Sequence, residues 1–184
     1  MSVFDLVLET DRLLLRPPNA GDFDRYAEML ADPEAARYIG GVAPRAVAWR
    51  KFLALPGAWV IQGFAMFSVI ERASGEWVGQ CGPWRPEGWP GNEIGWALRR
   101  PFWGRGYAFE AAAAALDFAF ERLAWSEVIH CIHPDNLASQ RLAERLGSAP
   151  LGPVRLPEPY SESPSLHWGQ SRQQWRQRTR PNLA

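Results

Sequence analysis

The sequence predicts an α/β fold of the α+β type, with helices packed on a mixed sheet. Three observations predict it. Short apolar runs of strand length alternate with longer stretches of helical periodicity. The alternation lacks the strict strand-helix-strand rhythm of an all-parallel sheet. A central strand runs into a glycine turn that opens an alanine-rich helix, through Trp103-Gly104-Arg105-Gly106-Tyr107-Ala108. The 184 residues are expected to form one domain, residues 1–184, with its core at about 10–175 and a frayed tail at 176–184.

Leu13-Leu14-Leu15-Arg16 reads as the first strand, stopped by Pro17-Pro18. Asn19, with Asp22 three residues on, marks a helix start. Phe23, Tyr26, Ala27 and Leu30 then recur at helical spacing, and the helix ends near Asp32-Pro33. After Gly40-Gly41 a second helix is expected from Pro44 to about Leu55. Phe64 to Glu71 and Glu76 to Cys81 form a hairpin about Ala73-Ser74-Gly75. Residues 83–91, rich in Pro, Gly and Trp, form a loop, and Asn92 to Leu98 is the strand that feeds the glycine turn. A long helix from about Gly106 to Leu123 is followed by a strand, Val128 to His133. A helix from Asn136 to Leu146 closes on Gly147. Residues 149–164 hold five prolines and read as an extended loop or irregular strand. Leu166 to Trp168 is a last strand, and Ser171 with Gln174 opens a terminal helix.

Lys+Arg and Asp+Glu balance at 20 each, so no basic field calls for nucleic acid. No apolar run approaches the roughly 20 residues of a membrane span, and the first residues contain Asp5 and Glu9 rather than a basic start and an apolar stretch. Cys81 and Cys131 have neither metal nor disulfide spacing, and a cytoplasmic protein without nucleic-acid or membrane partners is expected. The 10 tryptophans fall mostly near predicted loops and strand ends, where core and rim packing outweighs ligand stacking.

Gly104 and Gly106 remove side chains that would keep a ligand from the backbone, and both tolerate the positive φ that turns successive N–H groups toward one point. The following helix aims its unpaired N–H groups at the same point, which suits an anion. Arg105, with Arg99 and Arg100, adds positive charge. A plain turn between strand and helix is the alternative. The dinucleotide fingerprint fails, because Phe109 stands where a third glycine belongs, and no Gly-Lys-Ser/Thr follows four spacers. The cradle is for another phosphate-bearing ligand.

These residues, together with Glu9-Thr10-Asp11-Arg12-Leu13-Leu14-Leu15-Arg16, Asn92-Glu93-Ile94-Gly95-Trp96 and Pro134-Asp135-Asn136 with Ser139, Glu144, Leu146 and Gly147, resemble the GNAT superfamily of acetyl-CoA-dependent N-acetyltransferases. Within it they are similar to the branch of the ribosomal-protein N-terminal acetyltransferases RimJ and RimL. The likeness runs from about Thr10 to Trp175. It implies a largely antiparallel mixed sheet flanked by helices, with the cofactor loop between a central strand and the long helix after it. It also implies acetyl-CoA as co-substrate without a metal, an amine acceptor and a homodimer. The pattern Gln/Arg-x-x-Gly-x-Gly/Ala falls on Trp103, Gly106 and Ala108, so a guanidinium is lost and the backbone donors remain. By the resemblance, Trp103, Gly104, Arg105, Gly106, Tyr107 and Ala108 hold the coenzyme A pyrophosphate. Backbone near Trp96 to Leu98 pairs with the pantetheine arm as an added strand. Asn136 and Ser139 contact the pantetheine or thiol end, and the plain reading of Asn136 is a helix N-cap.

Acetyl transfer needs a neutral amine and a stabilised oxyanion, the latter from a backbone N–H near Leu98. Glu93 is the candidate base, since many family members place a carboxylate on this strand; a solvent-facing or arginine-paired carboxylate is the alternative. His130 and His133 can accept a proton but are the types of residue that a strand more often packs. Cys131 reads as core. A metal site from His130, Cys131 and His133 is disfavoured because alternate strand residues face opposite ways. The tyrosine acid of many members is Ala143 here, leaving water, Ser139 or Tyr107 to protonate the thiolate, and Ser148 replaces an aromatic after Gly147, a matter of packing. By the resemblance, acceptor choice falls to residues 31–55 and 150–164, with Trp49, Trp84, Trp89 and Tyr160 as candidate pocket walls. A non-catalytic acyl-CoA-binding module and a nucleotide-phosphate enzyme on the same cradle remain open alternatives.

Overall fold

Alternation in the first long strand puts Leu13 and Leu15 on one face, where both are fully buried, and Leu14 and Arg16 on the other. A computed structural model describes residues 3–179. In chain order the elements are β1 (Leu8–Glu9), β2 (Leu13–Arg16), α1 (Phe23–Ala31), α2 (Pro33–Ala36), α3 (Arg45–Gln62), β3 (Phe67–Glu71), β4 (Trp77–Trp84) and β5 (Glu93–Leu98). They continue as α4 (Tyr107–Glu121), β6 (Glu127–Ile132), α5 (Leu137–Leu146), β7 (Ala149–Val154), β8 (Ser165–Ser171) and α6 (Arg172–Thr179). The strands form one sheet in the order β1-β2-β3-β4-β5-β6-β8-β7. Every neighbouring pair is antiparallel except β5 and β6. The expected mixed, largely antiparallel sheet is therefore present.

Each face of the sheet has its own core. On one, Ala111, Ala112, Ala115 and Ala119 of α4 are fully buried against Leu13, Leu15, Phe67, Val69, Val78 and Ile94. Alanine at these positions lets the helix axis approach the strands closely. On the other face Phe23, Tyr26, Ala27 and Leu30 of α1 pack with Ala48, Phe52 and Leu55 of α3 over Trp77 and Ala97. No helix among the described residues is long and apolar enough to cross a membrane.

Three elements differ from the sequence reading, and a fourth, the proline-rich segment, settles between its two open alternatives. α3 does not stop near Leu55 but runs through Pro56 to Gln62. Proline removes one helical hydrogen bond, and Trp59 offsets that loss: it is fully buried, packs on Phe67 at 5.0 Å between ring centroids, and donates its indole N–H to the Met66 carbonyl at 3.2 Å. β4 extends through Pro83 and Trp84 into the expected loop. Pairing of β4 with β3 ends at Cys81, so the missing N–H of Pro83 deprives no ladder on that side, while Pro83 and Trp84 stay paired with Ile94 and Glu93 of β5. The proline-rich segment becomes β7 in its first half, with a bulge between Pro150 and Gly152. β8 is longer than Leu166 to Trp168 because β6 pairs with it from Glu127 to Ile132. The expected tail at 176–184 completes α6 as far as residue 179; its remainder lies outside the described residues.

Asp22 joins the first strand to the helix layer. Buried at 3% exposure, it receives two hydrogen bonds from Arg16 at 2.8 and 2.7 Å, one from the Asn19 N–H at 2.9 Å and one from Ser68 Oγ at 2.7 Å. Ser68 Oγ in turn accepts from the Trp77 indole at 3.0 Å. Burial pushes the Asp22 carboxyl upward, but the bonds from Arg16, Asn19 and Ser68 outweigh it and hold the group below the ordinary 3.8. Asp22→Ala leaves Arg16 and the Asn19 N–H without their acceptor. It should lower unfolding free energy by roughly 2–4 kcal/mol in urea titration, and unchanged stability would show that the network carries no load.

Candidate active site

The sheet opens where its one parallel pair should continue. β5 and β6 pair only at Glu93 and Ile129, and the Ile129 N–H donates to the Asn92 carbonyl at 2.9 Å. The next parallel rung would carry the Cys131 N–H to the Ile94 carbonyl. Two side chains take both ends of that rung. The Cys131 N–H donates instead to Glu93 Oε1 at 3.0 Å, and the Ile94 carbonyl accepts from His130 Nδ1 at 2.6 Å. Beyond this point the strands part. The Arg99 N–H points to β4, donating to Val78, whereas the carbonyls of Asn92 and Ile94 point to β6. By strand alternation the N–H and C=O of Trp96 and the N–H of Leu98 point into the opening.

Glu93 and His130 are the two titratable groups buried there, at 6% and 1% exposure. Glu93 Oε2 accepts from the Trp89 indole at 2.5 Å. Burial raises its pKa from 4.5 to about 7, the bonds from Cys131 and Trp89 pulling the other way. Because the Ile94 carbonyl can only accept, His130 carries its proton on Nδ1. Its Nε2 then accepts from Ser148 Oγ at 3.0 Å, and Ser148 Oγ accepts from Gln170 Nε2 at 3.0 Å. Burial lowers the His130 pKa from 6.5 to about 4, with the Ile94 bond opposing, so the ring is neutral. Ser148, after Gly147, thus places a hydroxyl between His130 and Gln170.

A cavity of about 310 Å³ lies in the opening. Both arms line it, through Glu93 to Trp96 and His130 to Ile132, together with Asn136, the N-cap of α5, and Ser139 in its first turn. Tyr26, Leu30 and Leu55 from the α1–α3 layer and Trp84, Trp89 and Tyr160 complete the wall. Gly95 keeps it open beside the carboxylate: a Cβ there would lie 2.5 Å from Met66 Cε and 3.7 Å from Glu93 Oε1.

The glycine cradle takes the expected form. Gly104 and Gly106 have φ of 74° and 82°, and a Cβ at Gly104 would meet nothing within 4 Å. Gly106 caps α4 with no side chain over the first-turn N–H groups, which include those of Tyr107 and Ala108. Arg12 holds the cradle from behind. It donates to the Arg105 carbonyl at 2.9 Å and to Glu110 Oε2 at 2.7 Å, and its guanidinium lies 4.6 Å from the Tyr107 ring centre. Positive φ at both glycines, free space at Gly104 and an uncapped first helical turn fit a pyrophosphate.

Several sequence assignments change place. Arg99 and Arg100 do not serve the cradle: Arg99 pairs with Glu28 at 3.3 Å and Glu76 at 3.5 Å, and Arg100 pairs with Asp32. Arg105 stays beside it, 3.8 Å from Glu71. Tyr107 donates its hydroxyl to Glu71 and does not line the cavity, which removes it as an acid toward a thiolate there. Trp49 is not a cavity wall; it packs on Phe23 and Phe52 at the outer side of α3. Trp103 is 49% exposed, and its indole N–H occupies the Leu98 carbonyl at 2.8 Å, leaving only the Leu98 N–H for an added strand. Asn136 is an N-cap, accepting from the Ser139 N–H at 3.1 Å, and also lines the cavity. Ser139 Oγ accepts from the Trp96 indole at 3.1 Å, so its own proton is free to point elsewhere. His133 accepts from the Asp135 N–H at 3.1 Å and lies against the Tyr38 ring. Burial, with Glu93 beside it, pushes the Cys131 thiol up and keeps it protonated. Arg12, Gln80 and Lys51 were not singled out from the sequence, though Lys51 carries a signal there, being the chain's single lysine.

The family profile described as "Acetyltransferase (GNAT) domain" matches residues 12–149. The N-acetyltransferase p20 of Bacillus licheniformis is 30% identical over 151 residues, 80% of this chain and 85% of that protein. YkkB of Bacillus subtilis (strain 168) is 39% identical over 87 residues, 46% of this chain, and the match spans about half of that protein's length, 51%. Among solved structures, the acetyltransferase from Agrobacterium tumefaciens str. C58 superposes with a TM-score of 0.79 at 31% identity, covering 90% of this chain and 94% of that one.

The two buried groups make opposite demands on folding. Glu93, raised from 4.5 to about 7, favours the folded state at low pH and loses that contribution as pH rises through 7. His130, lowered from 6.5 to about 4, contributes stability at neutral pH that is lost as pH falls from 6.5 toward 4. Each effect is worth about 3 kcal/mol when complete, so between pH 4.5 and 7 they largely cancel. Urea midpoints of Glu93→Gln should fall on acidification across this range, and those of His130→Gln should rise. Two variants with the flat profile of the wild type would contradict the assignment.

Proposed function

The chain belongs to the GNAT family of acetyltransferases, and on that premise we propose that it moves an acetyl group from acetyl-CoA to a primary amine, a protein N-terminal α-amine or a small-molecule amine, by direct transfer in a ternary complex. The observation that carries this reading is Glu93: a buried carboxyl poised at about 7, on the wall of a cavity that opens between β5 and β6. Near neutral pH such a group is available as carboxylate to accept a proton, which suits a general base.

In the proposed sequence the pyrophosphate sits on the backbone of residues 104–108, and the pantetheine arm pairs with Trp96 and Leu98 where β6 has moved away. The amine enters from the aromatic side of the cavity and gives a proton to Glu93, directly or through water. Its lone pair then attacks the thioester carbonyl, forming the C–N bond. The oxyanion meets a backbone N–H of the open strand edge. Collapse breaks the C–S bond, and the second proton, left on the newly bonded nitrogen, passes to the departing thiolate through the Ser139 hydroxyl, which gives its own hydrogen as it takes that one and whose oxygen also accepts from Trp96. Asn136 orders this end by capping α5. Ala143, fully buried where many members have a tyrosine, supplies no proton, which makes Ser139 the group to test.

The opening Glu9 to Arg16 segment and the Trp-led cradle support placement in the RimJ/RimL-like branch, in a cytoplasmic setting, with a homodimer as the assembly to look for.

Calorimetry should show acetyl-CoA binding to the wild type and none to Gly106→Glu, because φ of 82° strains any side chain and a Cβ falls 3.3 Å from Arg12 Nη2. An absence of binding to the wild type would sink the reading. In a thiol-release assay with peptide and amine acceptors, kcat should rise with pH through about 7. Glu93→Gln should lower it by about 10²-fold or more and abolish that rise. A persistent blank across a broad acceptor panel, with acetyl-CoA still bound, favours a non-catalytic acyl-CoA-binding module.

A further inference from the structure

One lysine lines the cavity. Lys51 is the chain's single lysine, lies on α3 and lines the cavity half-buried. No hydrogen bond or ion pair joins it to another described residue. Arg12, Arg16, Arg99 and Arg100 all have carboxylate partners. The position of the ammonium is defined: a Cβ at Gly40 would lie 3.0 Å from Lys51 Nζ and 3.2 Å from Tyr160 Cε1. Tyr160 meets Trp89 edge to face with ring centroids 6.3 Å apart, and Trp89 donates to Glu93. Lys51 and Glu93 thus stand at the two ends of one aromatic wall.

A second group on the same cavity also lacks a partner. Gln80 Oε1 is buried with no hydrogen-bond donor among the described residues. A dehydrated acceptor in that state is destabilising, and the penalty is removed when a ligand brings an N–H. The cavity therefore presents a cation at one end, a proton acceptor at the other and an unfilled acceptor on its wall. An amine with an anionic group at its far end complements all three. A polycation does not, since Lys51 repels it and Glu93 is the only carboxylate lining the cavity among the described residues.

We propose that the acceptor is a small aminocarboxylate whose amine and carboxylate lie at opposite ends of an apolar body, as in an ω-amino acid. Lys51 holds its carboxylate, Gln80 Oε1 takes an N–H, and the amine is presented to Glu93 with the apolar body on Trp84, Trp89 and Tyr160. This rests on the acetyl-transfer reading and narrows it. Lys51 takes no part in the bond changes: the C–N bond forms, the C–S bond breaks, one ammonium proton passes to Glu93 and a second to the departing thiolate.

The test compares kcat/KM for ω-amino acids and their carboxamides at saturating acetyl-CoA in the wild type, Lys51→Met and Lys51→Arg. A charge-assisted bond corresponds to about a tenfold to hundredfold preference for the acid. That preference should collapse in Lys51→Met and persist in Lys51→Arg. Taking the ratio between proteins cancels the different basicity of the two amines. An acid-to-amide ratio equal in wild type and Lys51→Met, or a wild type that prefers neutral peptide amines, overturns the proposal. If no amine releases coenzyme A, the transfer reading fails by itself. The anion site is then read from Trp84 and Trp89 fluorescence in coenzyme A-loaded protein titrated with acid and amide. Lys51-dependent discrimination supports the site, and equal titrations overturn it.

Discussion

The site depends on one missing rung in the sheet. Parallel strands β5 and β6 would run on together if the Cys131 N–H and the Ile94 carbonyl met; Glu93 and His130 satisfy those two groups instead. The substitution meets the demand that buried backbone polar groups be paired while leaving the strands free to separate. The cavity, the open edge of β5 and the placement of a carboxyl within it all follow from that exchange. Glu93 is thereby both a prop of the opening and the group that faces into it.

Holding two ionisable groups in the interior has an electrostatic consequence. Each is stable there in its neutral form, and each has a fixed set of partners that sets its proton. Trp89 and the Cys131 N–H hold the Glu93 oxygens, while Ile94, Ser148 and, behind Ser148, Gln170 hold His130 in one tautomer. The rest of the molecule supplies rigidity to this arrangement. Asp22 ties β2 to β3, and Arg12 ties the N-terminal segment to the cradle through Glu110 and the Arg105 carbonyl. The turn between β1 and β2, remote in sequence from the glycine turn, is thus the brace of the phosphate end.

Features legible in the sequence were those whose cause is local. Asn19 with Asp22 forms a reciprocal cap, Ser171 with Gln174 another, and Asn136 caps α5, each because a short polar side chain reaches an N–H two or three residues on. The cradle was legible for the same reason: positive φ at Gly104 and Gly106 is a property of glycine. Misplaced residues were those whose partners come from far along the chain. Arg99 and Arg100 sit next to the cradle in sequence but turn to Glu28, Glu76 and Asp32. Tyr107 turns to Glu71, and Trp59 carries α3 past Pro56 by packing on a strand that follows it.

By itself the sequence determined the mixed sheet, the order of its main elements, the glycine cradle and the identity of Glu93 as a carboxylate on the strand before it. Those are set by periodicity, caps and backbone freedom within a few residues. Only the tertiary structure decided that β5 and β6 separate, that burial brings Glu93 to about 7 and His130 to about 4, and that Lys51 from α3 shares a cavity with Gln80 and Glu93. A pKa is set by the dielectric and the dipoles around a group, and a cavity by surfaces from several elements. Neither exists until strands and helices distant in the chain have packed together.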